Sequence, residues 1–352
     1  MIDQSQITNE WIKQKNDAYK TDPLLIEKVI RALLLLEGLV KQGLPFIFKG
    51  GTALMLHFNS SRRLSIDIDI VLPDKKIDME EVLKGVVQKQ GFTRFELQER
   101  NALTDIEKAH YKFYYNPVRS SGRGKEYVLL DILFEKVYYT NLFKLPVQSN
   151  LAPLDGESVM VDIPSVEDLL GDKLTAFAPN TTGIPYFRKG DSMSMEIIKQ
   201  LYDIGTLFDA AKDFRIVNKT FREFANAELS YRNKDVMKTD DVIEDIYQTA
   251  LNIATRGKDG KANYEELQQG ITRIKNFIFS ENYHLEKAIT HATKAAYLAT
   301  LLRQSDESIE RFDPEIDMKD WFIEQPFNTR LNKLKKSDPE SFFYWYMIFK
   351  LS

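Results

Sequence analysis

Hydrophobic and polar positions change their period along the chain, and the change divides it into two parts. In the first part, short alternating runs predict strands, and longer runs with apolar residues three and four positions apart predict helices. Residues 24–41 have densely spaced apolar positions and follow Asp22 and Pro23, an N-cap and a first-turn proline. This segment predicts a helix packed on a sheet. From residue 164 onward almost every segment has the helical period.

The pattern predicts an α+β fold: a mixed β-sheet with flanking helices, followed by a mostly α-helical C-terminal half. Predicted strands cover 45–48, 64–72, 92–100, 109–116, 127–134 and 159–163, with short helices at 52–58 and 79–90 and a turn at 119–124. Later helices are predicted at 165–177 and 195–211, with breaks at 178–185, 257–260 and 313–314. We therefore expect an α+β domain at 1–163 and a helical domain at 164–352 that contributes to the active-site cleft.

Composition narrows the class of protein. With 352 residues, 43% hydrophobic and 28% charged, the chain suits a soluble globular protein of two or three domains. The net charge of −4 argues against a wholly basic nucleic-acid coat but leaves room for a local basic groove. The absence of cysteine excludes disulfides, thiolate zinc sites and cysteine nucleophiles, and it suits a reducing cytoplasm.

The N-terminus, the apolar runs and the spacing of the histidines do not indicate a secreted protein, a membrane protein or a histidine-built metal site. The polar N-terminus lacks a secretion signal, and the apolar run at residues 33–36, which lies between Arg31 and Glu37, is far below the roughly 20 residues of a membrane span. We predict a cytoplasmic protein without a membrane partner. The four histidines are scattered without a metal-binding spacing, so each is interpreted as structural: His57, His110, His284 and His291.

A glycine turn followed by two carboxylates carries the candidate chemistry. Gly50 and Gly51 precede a short helix whose N-terminal amides could hold a phosphate. Asp67 and Asp69 lie two residues apart in a predicted strand, so their side chains share one face over an apolar layer. Two like charges at that spacing favour a bound cation. The plainer alternatives are a simple turn and a solvated sheet face.

Asp131 is the candidate third carboxylate. It is the one charged residue of the predicted strand at 127–134 and would be costly to bury unless paired or metal-bound. Nucleotidyl transfer uses divalent ions held by such hard oxygen ligands. The order of glycine turn, acidic pair and third acid therefore favours metal-dependent nucleotide chemistry over a residue at the edge of a strand.

These elements resemble the AbiEii/AbiGii-type toxin family of nucleotidyltransferases, which is related to the DNA polymerase β-like superfamily. The family's lysine-glycine-glycine-threonine-alanine-leucine block is met by Lys49–Leu54. Its arginine-x-serine-x-aspartate-x-aspartate block is met by Arg63, Ser65, Asp67 and Asp69. The resemblance covers roughly residues 25–210 and implies a nucleotidyltransferase-like sheet.

The resemblance also implies roles for individual residues. Asp67, Asp69 and Asp131 would hold Mg²⁺ or Mn²⁺, and the NTP substrate would be bound by residues of the two blocks: Lys49, Gly50, Gly51, Thr52, Arg63 and Ser65. Arg63 is equally readable as a salt-bridge partner of an acid. Lys173, in a helix similar to the family's lysine-leucine helix, would lie near the nucleotide phosphates, with an ordinary exposed lysine as the alternative.

One position departs from the family pattern. A basic residue, an aspartate and a second aspartate are expected, and the chain has Lys199, Gln200 and Asp203. Asp203 is kept and would position the substrate or a catalytic lysine. The loss of the first acid raises the alternative of weakened activity, or of a catalytically silent nucleotide-binding or interaction module.

The resemblance further implies an RNA acceptor, tRNA in particular, and the toxin half of a toxin–antitoxin system active in phage defence, with a cognate antitoxin. A small-molecule acceptor is the alternative within the same chemistry. Candidate RNA contacts are the basic and aromatic positions Arg330, Lys333, Lys335, Lys336 and 342–346, and also Arg119, Arg123, Lys125, Arg188 and Lys189. For the C-terminal set, a solvated helix face with core aromatics is the favoured interpretation.

Overall fold

The computed structural model describes residues 1–58, 63–73, 76–101, 107–118, 126–232, 236–278, 280–304, 308–325 and 327–352. The chain forms two compact units, one of Met1–Ser165 with Asn276–Asn282 and one of Val166–Lys275 with Tyr283–Ser352. The predicted division after residue 163, and the predicted contribution of the second domain to the active-site cleft, stay predictions. Among the described residues, none of the helices is both long and apolar enough to cross a bilayer.

The first unit combines a mixed sheet with helices. Its helices are α1 (Asn9–Tyr19), α2 (Pro23–Lys41), α3 (Gly50–Phe58) and α4 (Met79–Lys89). Its strands are β1 (Ile47–Lys49), β2 (Asp67–Val71), β3 (Arg94–Asn101), β4 (Glu107–Tyr115), β5 (Glu126–Phe134), β6 (Leu142–Pro146) and β7 (Met160–Pro164).

The second unit is mostly helical. It contains α5 (Val166–Ala176), the short hairpin β8 (Phe187–Arg188) and β9 (Asp191–Ser192), α6 (Ser194–Ala210), α7 (Phe214–Tyr231), α8 (Thr239–Ala254), α9 (Tyr264–Arg273), α10 (Leu285–Gln304), α11 (Leu334–Ser337) and α12 (Pro339–Leu351). Helix α10 packs against α6, α8 and α12. The predicted class, α+β with a helical C-terminal half, is confirmed.

The central sheet has five strands in the order β1-β2-β5-β4-β3. Strands β2 and β5 are parallel and the other pairs are antiparallel. Burial alternates along β5: Val128, Leu130 and Ile132 are buried, whereas Leu129 and Asp131 are half-buried. The sheet therefore has a core face, packed with apolar side chains, and a carboxylate face, which carries Asp131.

Helix α2 covers the core face, where it contacts β2 and β5. Asp22 caps it by accepting a hydrogen bond from Leu24 N, and Pro23 occupies the first turn, as the sequence predicts. Its residues are buried on nearly every side between Ile26 and Leu39. Each fully buried leucine or isoleucine contributes about 1.5–3 kcal/mol, so this helix fixes the sheet from behind.

The acidic strand is shorter than predicted. Strand β2 begins at Asp67, and Leu64 instead donates its backbone N–H to Phe277 O at 2.8 Å. Arg63 forms an isolated antiparallel bridge with Ile278. A segment far away in the sequence thus takes the hydrogen bonds that a longer β2 would have made. Helix α1 and strands β6, β8 and β9 are further elements that the sequence pattern did not predict.

Candidate active site

Three carboxylates share the carboxylate face at the parallel pair. Asp69 is the direct partner of Asp131 across β2 and β5, and Asp67 lies two residues before Asp69 on the same face. All three side chains are half-buried. Neighbouring strands lie about 4.8 Å apart, so the predicted third acid does fall beside the acidic pair. We call Asp67, Asp69 and Asp131 the acidic patch.

His110 lies next to the acidic patch, whereas its spacing in the sequence predicts a structural histidine. It is the partner of Asp131 in the antiparallel register of β4 and β5. Its Nδ1 lies 2.8 Å from Asp131 Oδ1, and the two side chains are 28% and 33% exposed. This hydrogen bond fixes one carboxylate oxygen and leaves the side chain accessible. One feature of the sequence indicates that His110 lies on the carboxylate face: the alternation of β4, in which His110 follows the buried Ala109.

The glycine turn presses against the acidic patch. Gly50 has φ +82°, and a Cβ at this position would overlap the Asp69 carboxylate. A Cβ on Gly51 would lie 2.5 Å from Arg63 Nη2 and 2.8 Å from Ser65 Oγ. Glycine at both positions permits these approaches without displacement of the neighbouring side chains. The two predicted sequence blocks, 49–54 and 63–69, therefore meet in space.

Helix α3 starts at Gly50, so the glycine pair forms its first turn. Thr52 is fully buried, and its hydroxyl donates to Asp67 O at 2.7 Å. This bond ties the start of α3 to the start of β2. The part of Thr52 that could face a phosphate is its backbone N–H, since first-turn amides point out of the helix N-terminus.

Two cations flank the acidic patch. Lys49 on β1 is the direct partner of Asp69, so Lys49, Asp69, Asp131 and His110 form one row across four adjacent strands. Arg63 is 8% exposed, and its Nη1 donates to Leu64 O at 3.1 Å. Its position beside Gly51 places a guanidinium at the glycine turn. Nearby positive charge lowers the repulsion among the carboxylates.

The acidic patch offers the oxygen donors that Mg²⁺ or Mn²⁺ prefers. Across the described ranges, however, no group of three or more histidine, aspartate or glutamate side chains is gathered closely enough to hold a metal ion. Mg²⁺ is commonly bound through one or two carboxylates together with substrate phosphates, and rarely by a cage made of protein alone. The donor set fits an ion whose coordination is completed by a triphosphate.

In the second unit, Lys173 and Asp203 form a buried ion pair. Lys173 Nζ on α5 lies 3.1 Å from Asp203 Oδ2 on α6, and their side chains are 10% and 3% exposed. Lys173 also donates to Gln200 Oε1 at 2.8 Å. Gln200 and Asp203 therefore hold the same lysine, and Gln200 supplies an amide at the position where the resemblance predicts an acid. The predicted contact of Lys173 with phosphates stays a prediction.

The other candidate RNA contacts differ in their burial and in their local partners. Phe342, Phe343, Tyr344 and Trp345 are buried, which confirms their interpretation as core aromatics, whereas Tyr346 is half-buried. Arg330 pairs with Asp259 and Lys335 donates to Trp321 O, so both basic side chains have local partners. The candidate contacts in the hairpin β8–β9, Arg188 and Lys189, are exposed. Arg119, Arg123 and Lys125 lie outside the described residues.

Comparison with known proteins identifies the family. A search of curated proteins finds no match. Among solved structures, the chain resembles one described as "Crystal structure of putative nucleotidyltransferase from H. pylori", with 15% identity, TM-score 0.41, and coverage of 80% of this chain and 95% of that one. It also resembles JHP933 from Helicobacter pylori, with 13% identity, TM-score 0.37, and coverage of 85% and 94%. The model of the family "Nucleotidyl transferase AbiEii toxin, Type IV TA system" matches residues 34–322. The chain therefore belongs to the AbiEii family of nucleotidyltransferase toxins of toxin–antitoxin systems.

Proposed function

We propose that this toxin transfers a nucleoside monophosphate from an NTP to the end of an RNA, with tRNA as the acceptor, in a reaction that depends on Mg²⁺ or Mn²⁺. The observation that carries the proposal is the shared face of Asp67, Asp69 and Asp131, against which Gly50 packs without a side chain. Carboxylates beside a glycine turn at a helix N-terminus can hold a cation and a triphosphate side by side.

In the proposed transfer, one bond to the α-phosphorus forms and one breaks. The acceptor hydroxyl oxygen bonds to the α-phosphorus, the bond from that phosphorus to the β-bridging oxygen breaks, and pyrophosphate leaves with the electron pair. The hydroxyl proton passes to a general base, for which the carboxylates of the acidic patch are the candidates. A bound divalent ion would lower the pKa of the hydroxyl and neutralise the phosphates.

The chain's own residues bind and orient the substrates. First-turn amides of α3 and the neighbouring Arg63 and Ser65 would hold the β- and γ-phosphates. The hydrogen bond from His110 holds Asp131 at a fixed angle on the sheet. We further propose that Lys173, held by Asp203, neutralises the leaving pyrophosphate, and that a cognate antitoxin restrains the toxin in the cytoplasm.

Transfer of label tests the proposal. The full chain is incubated with Mg²⁺, total cellular RNA and each α-labelled NTP in turn, beside Asp67→Asn, Asp69→Asn and Asp131→Asn. The matched control is Asp162→Asn, because Asp162 lies on a strand of the same unit and makes a surface ion pair with Lys144. We expect wild type and the Asp162 variant to label RNA, and the three patch variants to lose the label.

Other outcomes separate the alternatives. Label that appears only in a small molecule would replace the RNA acceptor while keeping the chemistry. Magnesium-dependent NTP binding without any transfer would favour a catalytically silent nucleotide-binding or interaction module, the alternative that Gln200 suggests. Undiminished labelling by the Asp69 variant would show that the acidic patch is not the site of transfer.

A further inference from the structure

Two tyrosines lie on the carboxylate face at the far end of the strands that carry Asp131 and His110. Tyr114 and Tyr127 are direct partners across β4 and β5, and their ring centroids are 5.7 Å apart with a 60° tilt. Tyr127 precedes Asp131 by four residues, which span about 13 Å along a strand. The tyrosines are therefore on the same surface as the acidic patch and within a short stretch of nucleic acid from it.

Cations cover these rings. The Arg94 guanidinium carbon lies 3.9 Å from the ring centroid of Tyr114, and Lys112 Nζ lies 4.6 Å from that of Tyr127. An arginine stacked on a ring presents its own flat, positively charged outer surface, on which a base can stack. We call Arg94, Glu96, Lys112, Tyr114 and Tyr127 the tyrosine platform.

Glu96 holds the platform in shape. It accepts a hydrogen bond from Tyr114 Oη at 2.7 Å and forms an ion pair with Arg94. The two hydrogen bonds, first from Tyr114 and then from Arg94, hold the pKa of Glu96 below its ordinary value. A group fixed before binding loses less entropy when a ligand arrives. The Arg94 and Glu96 side chains are each 42% exposed, so the platform remains open to a ligand.

The charge on this part of the face suits a polyanion. The tyrosine platform itself carries two cations, Arg94 and Lys112, against one anion, Glu96. Stacking surfaces combined with cations bind single strands with little preference for sequence. The platform also adjoins the surface on which transfer is proposed, and this continuity favours the acceptor strand over an unrelated ligand.

We infer that the tyrosine platform binds the single-stranded end of the acceptor nucleic acid, stacking its bases beside Tyr114 and Tyr127 and contacting its phosphates through Lys112. The identification of this strand as the acceptor rests on the proposed nucleotidyl transfer. Binding of a single strand at the platform can be measured without it.

Binding of a fluorescent single-stranded oligoribonucleotide to the full chain, followed by anisotropy, tests the inference. We expect Tyr127→Leu and Tyr114→Leu each to weaken binding roughly tenfold, and Tyr127→Phe to bind like wild type because the ring is kept. Lys112→Gln should reduce the slope of log affinity against log salt by about 0.7, the share of one phosphate contact on a single strand.

The matched control is Tyr138→Leu. Tyr138 is half-buried and has Lys136 Nζ 5.7 Å from its ring centroid, but it lies beyond the end of β5. We expect this variant to bind the oligonucleotide like wild type. Thermal denaturation of every variant separates loss of binding from loss of folding, and Tyr127→Phe provides a folded reference.

Three results would overturn the inference. The first is a wild-type protein that does not bind the single strand. The second is a Tyr127→Leu variant with undiminished affinity, because the tyrosines would then only stabilise the sheet. The third is a tyrosine variant that binds Mg²⁺-NTP more weakly but binds the oligonucleotide with unchanged affinity, which would assign the platform to the nucleotide. Oligonucleotide binding that depends on the tyrosines, without transfer of label, would refute the proposed function and keep the platform.

Discussion

His110 Nδ1 lies 2.8 Å from Asp131 Oδ1, and the two residues face each other on adjacent antiparallel strands. Partners of this kind orient a ligand carboxylate, and their loss commonly costs 10- to 100-fold in metal affinity or activity. We therefore expect His110→Ala to lower nucleotidyl transfer by about that factor. The same variant should need more Mg²⁺ for half-maximal rate.

The control for this variant is His284→Ala. His284 is 48% exposed and lies 3.8 Å from Glu286 in the second unit, so it loses a similar contact away from the acidic patch. A titration of Mg²⁺ at saturating NTP measures the effect. An unchanged magnesium requirement in His110→Ala would show that Asp131 does not depend on the histidine.

Gly50 and Asp69 define a second prediction. Gly50→Ala introduces both a positive φ for a non-glycine residue and an overlap with the Asp69 carboxylate. Left-handed backbone costs roughly 1–2 kcal/mol for a residue with a Cβ. Displacement of Asp69 adds a loss of transfer of about a hundredfold, since misplacement by about 1 Å can cost that much.

Gly43→Ala separates the two effects. Gly43 has φ +73°, and a Cβ there would meet no atom within 4 Å. This variant pays the backbone cost without touching the acidic patch, so we expect its stability to fall and its transfer activity to stay. Urea denaturation and label transfer measure the two quantities. Equal activity losses in both variants would mean that backbone strain alone, and no contact with Asp69, causes the defect.

The sequence predicts the acidic patch well because a local rule places each of its parts. A period of two puts Asp67 and Asp69 on one face, and both do lie on the carboxylate face opposite the buried Ile68 and Ile70. Asp131 stands out as a charge within an apolar run, and it pairs with Asp69. Local pattern thus recovers the patch and the class of the fold.

Other features of the site could not be predicted from the sequence, because they depend on strand register and on contacts between segments distant in the chain. His110 becomes relevant only because β4 and β5 pair it with Asp131, and the same register brings Tyr114 beside Tyr127. The start of β2 depends on Phe277, which takes the N–H of Leu64. No local periodicity encodes these pairings, since they are set by how separate segments pack.

The buried pair of Lys173 and Asp203 gives a prediction about stability. Removal of one partner leaves an uncompensated buried charge, which typically costs about 3–5 kcal/mol. We expect Asp203→Ala to lower the free energy of unfolding by about that amount. The double variant Lys173→Met/Asp203→Leu should recover much of it, because an apolar pair of similar volume needs no desolvation of charge.

A surface pair in the same unit provides the comparison. Asp259 pairs with Arg330 at 3.0 Å, and the two side chains are 31% and 57% exposed. We expect Asp259→Ala to cost less than about 1 kcal/mol, the usual value of an exposed pair. Urea denaturation followed by circular dichroism measures all three variants. A similar cost for Asp203→Ala and Asp259→Ala would contradict the buried-pair account.

His291 predicts how stability depends on pH. Burial, followed by the nearby charge of Lys294, lowers the pKa of His291 from 6.5 to about 3. Between these values the folded chain keeps the imidazole neutral while the unfolded chain binds a proton. The unfolded state therefore holds more protons, and stability falls as pH falls below about 6.5, by up to about 1.4 kcal/mol per pH unit.

The contribution of this one group is isolated by His291→Phe, which keeps a ring between Tyr202 and Tyr283. From pH 7 to pH 5 we expect the wild-type free energy of unfolding to fall by about 2 kcal/mol more than that of the variant. His284→Phe, at an exposed histidine, should retain the wild-type dependence. Urea denaturation at both pH values measures the difference, and parallel curves for wild type and His291→Phe would show that His291 is protonated equally in the folded and unfolded chain.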